Sequence, residues 1–165
     1  MTQASTLSIT AASKADVPLL LSLINELADY ERLRQESVAT EASLSEALFG
    51  SKPGAEAVIA RVDGEPAGFA LFFHNFSTFL GRRGLYLEDL FVRPAFRGRA
   101  IGKSLLSHLA GLAVQRGCGR FEWQVLDWNK SAREFYESLG AKANPTWISY
   151  RMTGDALQRL AAARS

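Results

Sequence analysis

The chain has 165 residues, which suits one domain with a sizeable core and is short for two. Apolar residues make up 47% of it and charged residues 22%, an ordinary globular mixture rather than a disordered one. The formal net charge of +2 is too small to indicate a nucleic-acid or membrane surface. We therefore expect a single domain over residues 1–165, with no nucleic-acid partner and no membrane partner.

Cys118 is the only cysteine, so no intramolecular disulfide can form, which fits a reducing compartment. It follows Arg116 and Gly117 in a turn with neither histidine adjacent in sequence, and we interpret it as unreactive rather than as a nucleophile. Residues 1–8 lack the basic and apolar regions of a signal peptide, and no apolar run is long enough to span a bilayer. A cytoplasmic protein is the expectation.

The first half of the chain predicts a strand, two helices and a hairpin. Ser13 and Asp16 are candidate caps for the first helix, whose apolar stripe follows at helical spacing. Thr40 opens a second, shorter helix as one half of a weak capping box. Asp63-Gly64 between two apolar runs is a strong hairpin signal. The predicted strands cover residues 6–10, 57–62 and 67–76, the short helix covers 40–49, and the stripe is Leu20, Leu23, Ile24, Leu27 and Tyr30.

The second half alternates strands and helices, so at least one crossover connection and some parallel pairing are required. The strand that ends before Arg93-Pro94 is followed by a long amphipathic helix that ends near Gly117. The expected order is a strand over 85–92, a helix from Ile101, a strand over 121–126, a helix between Asn129 and Gly140, a strand over 147–152, and a terminal helix from about Gly154.

The loop before the long helix carries the most informative pattern. Its small residues allow a ligand to approach the free amides of the first helical turn, where the helix dipole is positive. Its cations add charge, so the loop predicts a phosphate or pyrophosphate site. The alternative is a solvated turn, and the pattern matches neither the Walker loop nor the dinucleotide fingerprint. The small residues are Gly98, Ala100 and Gly102, and the cations are Arg97, Arg99 and Lys103.

This loop resembles the Arg/Gln-x-x-Gly/Ala-x-Gly/Ala signature of the Gcn5-related N-acetyltransferases, the GNAT superfamily. Residues 24–31, 85–92 and 129–141 are similar to the diamine (spermidine/spermine) acetyltransferase group. The resemblance implies a single-domain α/β GNAT fold: a mixed, mostly antiparallel central sheet with a bulged strand and a splayed strand pair, flanked by helices. It also implies acetyl-CoA as co-substrate and no metal. Ala100 departs from the usual glycine at the middle small position.

The resemblance also assigns residues to the donor side. Leu90, Phe91 and Val92 would line the thioester and pantetheine, and Asn129 and Ala132 would contact pantetheine, although Asn129 could equally be only a helix cap. Tyr136 resembles the general acid that protonates the departing thiolate; the alternative is that Phe135 and Tyr136 merely form the apolar face of their helix. The pyrophosphate would be held by Arg97, Gly98, Arg99, Ala100, Ile101, Gly102 and Lys103.

On the acceptor side, Glu88 and Asp89 are consecutive on a strand and point to opposite faces unless a bulge intervenes. By resemblance Glu88 faces the substrate amine and accepts its proton through water, and Asp89 is expected to play a structural hydrogen-bonding role. Tyr30, Glu31 and Trp147 match residues that shape the amine pocket. The positive charges of Arg32 and Arg34 disfavour a polycation and favour a smaller amine or a thialysine-like amino acid, unless both merely face solvent.

These observations predict an acyltransferase of the EC 2.3.1 class that moves an acetyl group directly from acetyl-CoA to a primary amine of a small molecule. Two alternatives stay open: acetylation of a protein lysine or N-terminus, and a catalytically silent acyl-CoA-binding domain. The resemblance also implies a homodimer that meets near Trp147 and the residues after it. His74 and His108 lie on different predicted elements, so the sequence gives no local support for a metal site.

Overall fold

The computed structural model describes residues 5–163, which divide into two compact units, 5–124 and 125–163. Residues 1–4, at the start of the segment predicted not to be a signal peptide, and residues 164–165, at the end of the predicted domain, lie outside the described residues. Within the described range, no helix is long and apolar enough to cross a membrane.

The first unit is built on a five-stranded sheet whose strands follow chain order. The first three pairings are antiparallel, and the last, between β4 and β5, is parallel. A helix over Ile101–Gln115 makes the crossover between those two strands. The predicted mixed, mostly antiparallel sheet is therefore confirmed. Its strands are β1 (Leu7–Ala11), β2 (Glu56–Val62), β3 (Glu65–Ser77), β4 (Arg82–Val92) and β5 (Phe121–Trp123).

The second helix begins at a cap that satisfies its first free amides. In the second helix, the Thr40 hydroxyl accepts from the Ser43 backbone N–H, and the Ser43 hydroxyl accepts from the Thr40 N–H. A serine thus replaces the expected Glu or Gln of a capping box. The first unit contains α1 (Val17–Tyr30), α2 (Glu41–Phe49) and α3 (Ile101–Gln115), and the second contains α4 (Lys130–Ser138) and α5 (Gly154–Ala162).

The core of the first unit lies between α1, α2 and one face of the sheet. Leu20 and Leu23 on α1 are fully buried and share a cluster with Ile59, Phe69 and Phe91 from the strands. Each such side chain contributes roughly 1.5–3 kcal/mol through burial. Tyr30 does not follow the predicted stripe, because 44% of it is exposed at the end of α1.

The strand β4 changes its pairing where the acidic residues lie. Phe72 of β3 opposes Leu87 and Leu71 opposes Asp89, so Glu88 is an extra residue in a β-bulge. On the other edge, pairing with β5 ends at Leu87 and Trp123, while β4 continues to Val92. The bulge that the sequence predicts is present, and β4 extends beyond the end of its pairing with β5.

Two predicted strands differ from the structure. The strand expected over 121–126 ends at Trp123, and residues 147–152 form no strand. A strand is stable only when its backbone groups pair with a neighbour, and the described residues of the second unit contain no other strand. The alternating apolar residues of 147–152 therefore do not by themselves produce a strand. Tyr150 is 92% exposed in this irregular segment.

Candidate active site

The loop between β4 and α3 has the backbone of an anion site. Gly98 and Ala100 both have left-handed φ angles, 77° and 58°, and Arg99 between them does not. Such alternation turns successive N–H groups toward one side. Ala100 is the N-cap of α3 without a side-chain cap, and the first intrahelical bond is from the Ser104 N–H to the Ala100 carbonyl. The amides of the first turn are thus left for a ligand.

Two arginines tie this loop to α1. Arg93 donates from Nε and Nη2 to the Glu26 carboxylate at 2.9 and 2.7 Å, a bidentate ion pair. One turn further along α1, the Arg97 guanidinium lies over the Tyr30 ring, 4.6 Å from its centroid, and its Nε donates to the Val92 carbonyl. Sequence analysis missed both contacts, since nothing local to either segment signals them.

Two carboxylates act on a third, Asp89, near the bulge of β4. Burial, followed by the negative charges of Glu88 and Glu31, raises the pKa of Asp89 to about 6. Burial also raises the pKa of Glu31 above its usual value. Glu88 is exposed at the bulge itself. Within the described range no hydrogen bond or ion pair of the Asp89 carboxyl group is found, and its structural role stays a prediction. The apolar neighbours Leu87, Leu90 and Phe91 in the sequence were the signal that it would be desolvated.

The second unit carries the predicted pantetheine and general-acid residues on one helix. The Asn129 side chain caps α4 by accepting from the Ala132 N–H at 3.2 Å, so the capping alternative for Asn129 is confirmed and its ligand role stays a prediction. Ala132 and Tyr136 lie one turn apart and so share a face. Tyr136 is half-buried with its ring centroid 5.5 Å from that of Phe135.

Two predicted ligand contacts need adjustment. Phe91 is only 4% exposed and packs in the core, so it can meet a thioester or pantetheine only through its backbone, unlike the less buried Leu90 and Val92. Trp147 lies in the irregular segment with 76% of its surface exposed, rather than on the expected strand.

The arginines after Glu31 have different surroundings. Arg34 lies 3.7 Å from Asp29 and donates to the Ser37 carbonyl, so its charge is partly matched within the chain. Arg32 has a left-handed φ of 62°, and its backbone N–H donates to the Asp29 carbonyl. Its side chain is exposed and makes no hydrogen bond or ion pair within residues 5–163. Arg32 is therefore the better placed of the two to meet a carboxylate.

The remaining candidates are Cys118, His74 and His108. Cys118 is half-buried after α3, and its N–H donates to the Ala113 carbonyl. His74 on β3 contacts Arg116, which is itself paired with Glu56, and burial lowers the pKa of that histidine. His108 lies on α3. Throughout the described part of the chain, no three His, Cys, Asp or Glu side chains are grouped to hold a metal ion.

With this geometry established, comparison with known proteins identifies the family. The model of the acetyltransferase (GNAT) family matches residues 20–141. The chain belongs to the GNAT family. GNAT acetyltransferases use acetyl-CoA, and this one is an N-acetyltransferase of the EC 2.3.1 class.

Similar proteins match this chain over most of their own length. An L-ornithine N5-acetyltransferase of Arabidopsis thaliana is 34% identical, over 92% of this chain and 86% of its own. A thialysine N-epsilon-acetyltransferase of Sus scrofa is 36% identical, over 93% and 96%. The structure of an integron cassette protein from the mobile metagenome of V. cholerae superposes with a TM-score of 0.80 at 29% identity, covering 95% of this chain and 98% of that one. The predicted GNAT fold and membership are confirmed.

Proposed function

We propose that this GNAT enzyme transfers the acetyl group of acetyl-CoA directly to a primary amine of a small molecule. The observation that carries the donor side is the uncapped N-terminus of α3, where the left-handed Gly98 and Ala100 precede free amides. Arg97, Arg99 and Lys103 add three positive charges at the same place. Pyrophosphate fits this combination of amides, dipole and charge. The remaining donor contacts are proposed for Leu90, Val92, the Phe91 backbone, Asn129 and Ala132.

Acetyl-CoA supplies an activated thioester when it is bound. The amine nitrogen forms a bond to the thioester carbonyl carbon, the carbon–sulfur bond breaks, the ammonium proton leaves nitrogen, and the thiolate gains a proton. We propose that Tyr136 donates the proton that the thiolate gains, because a phenol can donate at neutral pH without first ionising. Backbone amides of β4 beyond the bulge would stabilise the charge that develops on the carbonyl oxygen.

The acceptor amine is proposed to lie against the carboxylates of Glu31 and Glu88. Both are near the bulge, and they act electrostatically on Asp89. Negative charge there holds an alkylammonium, and Glu88 accepts its proton through water. Tyr30 and Trp147 are proposed as aromatic contacts of the alkyl chain.

A basic amino acid or a close analogue is the proposed acceptor. Relatives similar over most of the chain are named for ornithine and thialysine, each with a carboxylate beside the α-carbon and an amine at the end of its side chain. The exposed Arg32 offers a partner for that carboxylate. A polyamine has no carboxylate, so Arg32 would only repel it.

Thiol release from acetyl-CoA against a panel of ornithine, thialysine, lysine, spermidine and an N-terminal peptide tests the proposal. We expect turnover with an amino acid that bears a side-chain amine and little with spermidine or peptide. Tyr136→Phe should lower kcat, by roughly 10²–10⁴-fold if proton donation limits the rate. CoA binding without turnover of any amine would overturn the enzymatic proposal, and an unchanged Tyr136→Phe rate would remove only the general acid.

The same proposal extends to the molecule's organisation and location. We place residues 1–165 in a single N-acetyltransferase domain, because the family match runs from residue 20 to 141 and so continues across the boundary between the two units. We propose a homodimer, supported by the exposed apolar side chains after Trp147. A cytoplasmic location is proposed from the lone cysteine, which fits a reducing compartment.

A further inference from the structure

We propose that Tyr30 is a positioning residue for the donor: its ring holds the Arg97 guanidinium ready for the pyrophosphate of acetyl-CoA. This inference rests on the proposed function and adds a donor-side role to a residue expected to touch only the amine. The evidence is the contact of 4.6 Å between the Arg97 guanidinium carbon and the Tyr30 ring centroid.

The contacts of Arg97 leave the correct atoms available. Its Nε donates to the Val92 carbonyl at 3.1 Å, and one face of the guanidinium covers the Tyr30 ring. Neither terminal nitrogen makes a hydrogen bond to any described residue. The two Nη groups can therefore form the paired hydrogen bonds that arginine makes with phosphate oxygens.

Stacking matters here because an exposed arginine is otherwise disordered among rotamers. Fixing such a side chain when the ligand binds costs conformational entropy, which weakens binding. An aromatic face below the guanidinium removes part of that cost in advance, so the bound state is reached with a smaller penalty.

The aromatic support is itself fixed. Glu26 lies one turn before Tyr30 on α1, and Arg93 lies four residues before Arg97 in the loop. The Glu26–Arg93 ion pair, with atoms 2.7 Å apart, ties helix to loop beside the stacked pair. Arg93 also donates to the Pro66 carbonyl and so anchors the loop to β3. Tyr30 is therefore held in place beneath Arg97 rather than meeting it by chance.

The test measures CoA binding by calorimetry with no amine present, so an acceptor contact of Tyr30 cannot influence it. Tyr30→Leu should weaken CoA binding about two- to fivefold, the range expected for an exposed cation–π contact. Tyr30→Phe keeps the ring and should bind as the unaltered protein does. In an Arg97→Gln background, Tyr30→Leu should have no further effect, because the group it positions is gone.

The outcomes separate this inference from the proposed function. Failure of the unaltered protein to bind CoA would overturn both. Normal CoA binding by Tyr30→Leu, or an equal loss in the presence and absence of Arg97, would overturn the positioning role alone. Thermal unfolding of each variant checks the fold, and Tyr30 tolerates substitution since it is 44% exposed.

Discussion

The buried carboxyl group of Asp89 lowers the stability of the fold when it is ionised. Its carboxyl group is largely removed from water at the bulge, and its nearest electrostatic influences after burial are two further carboxylates, Glu88 and Glu31. The ionised form is therefore disfavoured, and the pKa of about 6 lies above the ordinary value of 3.8. Ionisable groups with strongly shifted pKa values are common at functional sites. Asp89 is such a group, and it lies near the proposed amine pocket.

We predict that Asp89→Asn stabilises the protein at pH 8 and has little effect at pH 4. The folded state binds a proton more tightly than the unfolded state, so stability falls as the pH rises from about 4 to above 6. Asparagine removes a penalty of up to roughly 3 kcal/mol above that window. Urea unfolding across this pH range measures the difference, with the exposed Glu46→Gln on α2 as control. A pH-independent difference would contradict the assigned cause.

The conformation of the loop before α3 also depends on the backbone of a single residue, Gly98. Gly98 has a φ of 77°, and a Cβ there would meet no other atom within 4 Å, so only the backbone resists a side chain. We predict that Gly98→Ala destabilises the fold by about 1–2 kcal/mol. Gly111 within α3 has equal space but helical backbone. Gly111→Ala should therefore stabilise by about 0.5–1 kcal/mol. Thermal denaturation measures the change in melting temperature of both variants. The two changes have opposite signs if backbone strain is the cause, and the same sign if it is not.

At the scale of elements, the connection between α1 and the β4–α3 loop holds the site together. The Arg93–Glu26 pair lowers the pKa of Glu26, chiefly through the side-chain hydrogen bond, and each partner is about a quarter to a third exposed. Desolvation and bidentate geometry make such a pair stronger than an ordinary surface ion pair. The helix that carries Tyr30 and Glu31 is thereby joined to the strand end that leads into the donor loop.

We predict that Glu26→Gln destabilises the protein by about 1–2 kcal/mol at pH 7, since it weakens two charge-assisted hydrogen bonds. The loss should shrink as the pH falls through the lowered pKa of Glu26, because the protonated carboxyl no longer pairs. Asp29→Asn, which affects the exposed pair with Arg34 on the same helix, should cost less than about 0.5 kcal/mol. Similar losses of stability in the two variants would show that the Glu26–Arg93 pair contributes no more than an exposed ion pair.

Local signals predicted elements well and long-range contacts poorly. Asp63-Gly64 predicted the hairpin because its two left-handed residues, with φ of 50° and 85°, are what a tight hairpin turn requires. The strand–loop–helix around Arg97 was equally clear. The stacking on Tyr30 was not, because contacts between distant segments depend on the assembled fold. The strand expected near Trp147 failed for the same reason: pairing needs a partner that a local pattern cannot supply.

At the scale of the whole molecule, the second unit exposes much apolar surface. Ile148 is 75% exposed and Tyr150 92%, in a segment whose sequence alternates like a strand but pairs with none in residues 125–163. Such surface is usual where a protein meets another chain. This is the physical support for the proposed homodimer.

We predict a sedimenting mass near twice 18.1 kDa for the unaltered protein. Tyr150→Asp should shift the equilibrium to the monomer, because a charge replaces an aromatic anchor in the proposed interface. Val38→Asp changes a side chain that is 83% exposed in the first unit and should leave the mass unchanged. A monomeric unaltered protein at micromolar concentration would refute the dimer.

The uncapped first turn of α3 has a thermodynamic consequence for the whole chain. An anion bound there would accept hydrogen bonds from the free amides of the helix, as an N-cap does. Ligand binding would therefore add to the free energy of unfolding. At a hundredfold excess over its Kd, a ligand that binds only the folded state adds about 2.7 kcal/mol to stability. Part of the protein's resistance to unfolding would then lie outside its own sequence, in the supply of its acyl donor.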